Sequence, residues 1–115
     1  MEIGTDIENI SRIVTALERT PRFKTRCFTE KEIAYCENRG KFRTHSFAAR
    51  FCAKEAFSKA IGQPLNWHDV EVLNNAEGKP EIFVQNRAHK LLAGRSVRVS
   101  LSHSKDMAMA TVIIF

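Results

Sequence analysis

At 115 residues and 43% hydrophobic, with eight Phe, the chain is expected to form a single domain, residues 1–115, whose core needs no disulfide support. No run of about 18 apolar residues occurs, which argues against a membrane partner, and the opening "MEIGTDIENI" carries acids where a signal peptide would carry bases. The net charge of +5 is unevenly spread: from Arg19 to Lys59 there are eleven Lys or Arg against four acids, which suggests an anionic partner such as a nucleic acid, a phosphorylated metabolite or an acidic protein. Cys27, Cys36 and Cys52 form no C-x-x-C pair, so a reducing, cytoplasmic setting is expected.

Met1 to Ile7 alternates Ile3, Thr5 and Ile7 with polar or small neighbours and predicts a strand. In "ENISRIVTALERT", Ile10, Ile13, Val14 and Leu17 recur at helical spacing, with Pro21 just beyond. "FTEKEIAYCENRG" predicts a second helix, opened by a Thr29/Glu32 capping box and closed at Gly40. "KFRTHSF" reads as a basic linker, and a long helix follows from about Thr44 to Ile61, stopped by Gly62 and Pro64. "DVEVLN" and "PEIFVQ" alternate with period two around "NAEGK", a hairpin. "NRAHKLLAG" predicts a short helix, and "SVRVSLSH" and "MAMATVIIF" predict two strands joined by "SKD". The order, strand, helices, then antiparallel hairpins, predicts an α+β fold with a small antiparallel sheet packed on a long central helix and shorter helices.

The long helix holds an oddity. Glu55 and Lys59 share an arc with Ala48, Phe51 and Cys52, while the opposite arc carries Ala49, Ala53, Phe57 and Ala60. A carboxylate in an apolar setting is costly unless paired, protonated or bound to a metal. Glu55 and Lys59 can pair with each other at i,i+4. Alternatively the arc faces a ligand. Were Asp6, at the end of the first strand, to converge with Glu55, the two carboxylates would repel unless a cation lay between them. Magnesium suits such a pair, because it takes one or two carboxylates and completes its shell with water and phosphate oxygens; Lys59 would then meet those phosphates. Ser102, His103 and Ser104 at a strand end form a possible phosphate-binding rim. No Walker loop, G-x-S-x-G elbow or zinc-like spacing of His45, His68, His89 and His103 is present.

"IGTDIENISRI", "RFCAKEAFSKA" and "VSLSHSKDMAMATVI", in this order, resemble the phosphopantetheinyl transferases of the holo-acyl-carrier-protein synthase family, as do "RFKTRCFTEKEI" and the Gly78-Lys79-Pro80 segment. The resemblance implies an enzyme that moves the 4′-phosphopantetheine arm of coenzyme A onto a serine of an acyl carrier protein and releases adenosine 3′,5′-bisphosphate. It implies Asp6 and Glu55 as magnesium ligands and Lys59 on the pyrophosphate. It implies Lys41, Arg43, Arg50 and His103 on the nucleotide, its 3′-phosphate above all, with Gly78, Lys79, Pro80, Ser102 and Ser104 completing the coenzyme A side. Arg12, Arg22 and Arg26 would dock the acidic carrier protein. Glu55, a metal-held water it orients, or His103 would take the serine proton. Cys52 stands where the family usually has a small residue. The family also implies a homotrimer with sites between subunits, for which the apolar end "VIIF" is suited.

The residues weigh against two other readings. A nucleic-acid-binding domain would need aromatics interleaved with bases on one face, whereas the Phe residues fall at core-like positions and Asp6 and Glu55 would repel phosphates. A carrier-protein-binding module without activity would have no use for the two carboxylates and Lys59.

Overall fold

A computed structural model describes all residues from Met1 to Phe115. The chain runs β1 (Glu2–Asn9), α1 (Ile10–Arg19), α2 (Phe23–Cys27), α3 (Glu30–Glu37), α4 (Arg43–Ile61), β2 (Val70–Asn74), β3 (Pro80–Val84), α5 (Asn86–Leu92), β4 (Val97–His103) and β5 (Met107–Ile114). Short 3-10 turns, Gly40–Phe42 and Trp67–Asp69, lead into α4 and β2. The fold is α+β, but with two antiparallel sheets in place of one: β1-β5-β4, and the separate hairpin β2-β3.

α4 is the centre of the molecule. One side of it lies across β1 and β5, and Phe47, Phe57, Ala48, Cys52, Ala53 and Ala56 are all buried against the sheet and the smaller helices. Burying each Phe contributes roughly 1.5–3 kcal/mol. The sheet meets the helix through the even positions of β5: Ala108, Ala110, Val112 and Ile114 are buried. Alternation therefore persists through "VIIF", and only Ile113 and Phe115 turn outward. The opposite face of the sheet is apolar and open, with Ile3, Ile7 and Met109 exposed. Ile7 pairs with Met109, and Ile3 with Ile113.

Local signals explain the boundaries. β1 runs two residues beyond the expected end, because its pairing with β5 continues to Asn9 opposite Met107. α1 accordingly starts at Ile10, where the Asn9 side chain accepts a hydrogen bond from Ser11 N at 3.1 Å. The Thr29/Glu32 capping box forms as expected. α3, however, stops at Glu37, and Gly40 opens a 3-10 turn with φ of 58° instead of capping the helix. α2 was not legible: its five residues follow Arg22, which adopts a left-handed φ of 67°.

Candidate active site

β1 approaches α4 more closely than any side chain allows. A Cβ on Gly4 would lie 2.0 Å from Ala56 O and 2.6 Å from Ala60 N. Gly4, Ala56 and Ala60 together let the strand sink onto the helix. That contact places Asp6, two residues on and on the same side of the strand, against the last turns of α4.

Asp6 is 9% exposed, and its Oδ1 accepts a hydrogen bond from Lys59 Nζ at 3.0 Å. Lys59 also donates to Thr5 O at 3.0 Å. Of the two alternatives for Lys59, the i,i+4 pair with Glu55 does not form, and Lys59 pairs with Asp6 instead, its side chain 55% exposed. Hydrogen bonding to Asp6, and then the Asp6 charge, holds the Lys59 ammonium above its ordinary value. Asp6 Oδ2 is buried with no partner. Burial pushes Glu55 upward, and the negative charges of Asp6 and Glu8 push it further, while Lys59 opposes them. Glu8 is likewise raised, by burial first and Asp6 second, and lowered by Arg12 and Lys59. Glu8 is the acid that reading the sequence missed. Its signal was D-x-E on one strand face, hidden by ending β1 at Ile7.

An orphaned buried carboxylate oxygen beside mutually repelling acids is an arrangement a divalent cation relieves. No three His, Cys, Asp or Glu side chains converge closely enough to cage an ion alone. Asp6 and Glu55 fit instead an open magnesium site, with water and substrate oxygens completing the shell.

The fully buried ion pair lies one residue away. Lys54, 2% exposed, donates to Glu32 Oε1 at 2.6 Å, Cys27 O at 2.8 Å and Trp67 O at 3.0 Å. Glu32 also accepts from Thr29 N and Val72 N, each at 2.8 Å. Burial depresses the Lys54 ammonium, and Glu32 counters it. This hub ties α2, α3, β2 and the Trp67 turn to the helical turn that bears Glu55.

The expected nucleotide-side residues gather around the first half of α4. Arg50 is buried, lies 4.2 Å from the centre of the Tyr35 ring and donates to Asn74 Oδ1, while its Nε has no partner. Asn74 Nδ2 donates to Gly78 O at 2.7 Å, which brings the Gly78-Lys79-Pro80 turn beside Arg50. His103 packs edge-on to His45, ring centres 4.9 Å apart, with Phe42 against both. His45, like Asn74, is a residue that reading the sequence did not single out. Lys41 is exposed, and Arg43 is bound by Glu37. Ser102, His103 and Ser104 do not form one rim. Ser102 pairs with Met109 on the open sheet face, His103 pairs with Ala108 on the α4 face, and Ser104 Oγ accepts from Asp106 N and Met107 N in the turn. Arg12, Arg22 and Arg26 are all exposed, and none is in a salt bridge.

Phe23, Phe28, Phe47 and Phe57 are buried. The exposed Phe42, Phe83 and Phe115 lie in three separate segments, so no single sheet face presents several aromatics interleaved with bases, which weakens the nucleic-acid reading. No helix is long and apolar enough to cross a membrane.

A family profile described as the 4′-phosphopantetheinyl transferase superfamily matches residues 2–112. A holo-[acyl-carrier-protein] synthase from Chloroherpeton thalassium is 44% identical over 119 residues, covering 99% of this chain and 97% of that protein. The crystal structure of the holo-(acyl-carrier-protein) synthase from Bacillus anthracis, in complex with CoA (3′,5′-ADP), superposes with a TM-score of 0.83 at 35% identity over 98% of this chain and 94% of that one. The Helicobacter pylori enzyme in complex with coenzyme A gives 0.87 at 27% identity, over 98% and 99%. Fold and sequence agree, and the chain belongs to the holo-[acyl-carrier-protein] synthase family of 4′-phosphopantetheinyl transferases.

Proposed function

We propose that this enzyme transfers 4′-phosphopantetheine from coenzyme A to a serine of an acyl carrier protein, with magnesium, and releases adenosine 3′,5′-bisphosphate. The observation that carries the reading is the partnerless buried Oδ2 of Asp6 beside Glu55 and Lys59. The names of the relatives and the coenzyme A complexes of its structural neighbours support the substrates.

The serine oxygen attacks the β-phosphorus, and the bond from that phosphorus to the bridging oxygen breaks. Asp6 and Glu55 would hold the magnesium ion, which supplies charge neutralisation on the diphosphate. Lys59, on a flexible exposed stem and anchored to Asp6, meets the negative charge that builds on phosphate oxygens. Glu55, its affinity for protons raised by burial and by Asp6, suits the base that receives the serine proton, directly or through water. His103, packed on His45 beside Phe42, serves the nucleotide side with Lys41, Arg43, Arg50 and the Gly78-Lys79-Pro80 turn. The free guanidinium groups of Arg12, Arg22 and Arg26 attract the acidic carrier protein.

The open sheet face of Ile3, Ile7 and Met109 supports a homotrimer, which would bring the nucleotide-side residues of one subunit toward Asp6 and Glu55 of another. Three buried free cysteines support work in the reducing cytoplasm, in supplying holo-carrier protein for fatty acid synthesis.

Incubation with coenzyme A, Mg²⁺ and apo acyl carrier protein tests the reading by mass spectrometry. The carrier gains one phosphopantetheine; Glu55→Gln slows the gain about 10³-fold or more, and chelation of the metal stops it. A normal rate in Glu55→Gln, or undiminished transfer under chelation, overturns it.

A further inference from the structure

Two cationic side chains of this protein are buried, Lys54 and Arg50, and their surroundings differ. Lys54 has a carboxylate, that of Glu32, against it. Arg50, 3% exposed, takes part in no salt bridge. Glu32 and Glu37, on the neighbouring α3, are engaged elsewhere, the first by Lys54 and the second by Arg43 and Lys24. A guanidinium keeps its charge whatever surrounds it, so burying one without an anion is costly unless a ligand supplies the anion.

The groups around Arg50 hold it without cancelling that charge. Its face is attracted to the Tyr35 ring, whose centre lies 4.2 Å from Cζ. At its edge one Nη donates to Asn74 Oδ1, while the buried Nε reaches no partner. Asn74 closes β2, and its amide is fixed from both ends. Nδ2 donates to Gly78 O at 2.7 Å, and Oδ1 accepts from Arg50. One neighbour needs a donor and the other an acceptor, and a single amide supplies both. A carboxylate of the same shape would set an oxygen against Gly78 O and neutralise Arg50 as an ion pair.

Resting on the transferase reading above, we propose that Asn74 is a positioning residue of the nucleotide side. It aims the Arg50 guanidinium, leaves its charge unneutralised, and so keeps that charge available to the 3′-phosphate of coenzyme A. Gly78 O decides which end of the amide faces Arg50, which makes the hairpin turn part of the same device.

Asn74→Asp keeps the shape of the side chain and supplies the missing carboxylate. Calorimetry with Mg²⁺ compares coenzyme A with dephospho-coenzyme A, which lacks the 3′-phosphate, and circular dichroism follows the fold. The variant should fold, bind coenzyme A about tenfold more weakly or worse, and bind dephospho-coenzyme A within about twofold of the unaltered protein. The KM for coenzyme A should rise while kcat holds within about threefold, a split that general damage to the structure does not give. Should Asn74→Asp fail to fold, Asn74→Ser, which releases Arg50 without adding charge, should shrink the ratio of the two affinities by about threefold. Because Asn74 acts through Arg50, Asn74→Asp should add nothing to the change in that ratio once Arg50→Gln is present. An unchanged ratio in a folded variant, equal losses for both ligands, or a full effect on top of Arg50→Gln would overturn the proposal. Transfer by the unaltered enzyme, measured alongside, keeps the transferase reading standing when the assignment of Asn74 alone fails.

Discussion

Asp6, Glu8 and Glu55 are three acids whose charges oppose one another in a partly buried setting. Glu55 and Glu8 therefore bind protons more tightly folded than unfolded. A group raised in this way adds stability below its ordinary value of 4.5 and loses that contribution as pH rises through the higher folded value. The metal-free enzyme should accordingly lose stability from these two acids as pH climbs from 4.5 toward neutrality. Magnesium binds only the ionised pair, so the rise in Tm that it produces should grow across the same window and vanish below it. Glu55→Gln should melt higher than the unaltered protein without metal at neutral pH and gain little from Mg²⁺. Thermal scans at several pH values, with and without the ion, check this. A pH-independent Mg²⁺ effect would contradict the assigned ligands. Cys52, by contrast, takes no part in nucleophilic chemistry. Burial, reinforced by Asp6 and Glu8, pushes its thiol up to about 12, and it donates to Ala108 O at 3.4 Å.

At the scale of elements, the helical spacing of α1, the capping box of α3 and the alternation of β5 act within a few residues, and for that reason they were legible. The partner of Lys54 was not. It reaches across 22 positions of sequence to Glu32, and nothing in "FCAKEAF" distinguishes a lysine that will be buried from one that will be solvated. Lys54→Met should leave Glu32 charged and uncompensated inside the protein, a loss of about 3–5 kcal/mol in urea unfolding. Adding Glu32→Gln should recover part of that loss, because the buried negative charge is gone while one oxygen remains for either Thr29 N or Val72 N, which now occupy separate oxygens. Simple addition of the two single losses would mean that the pair is not coupled. Gly4 belongs to the same scale. The glycine of G-x-D lets a strand and a helix approach closely enough for Asp6 to meet Lys59.

For the whole molecule, the inner sheet face is completed by α4, and the outer one, with Ile3, Ile7 and Met109, is left open. If copies associate through it, light scattering should give three times 13.1 kDa, and the paired substitutions Ile7→Lys and Met109→Lys should reduce this to one chain while far-UV circular dichroism is retained. An unchanged mass would place the interface elsewhere. By itself the sequence determined the elements other than α2, the α+β class and the choice of Asp6, Glu55 and Lys59 as candidates for the site, since helical period, strand alternation and motif order are written in the chain itself. Only the tertiary structure decided that Lys59 pairs with Asp6, that Glu8 joins the acids, and that Ser102 and His103 part to opposite faces. Those outcomes depend on how close β1 sinks onto α4 and on strand register, which arise from packing between segments distant along the chain.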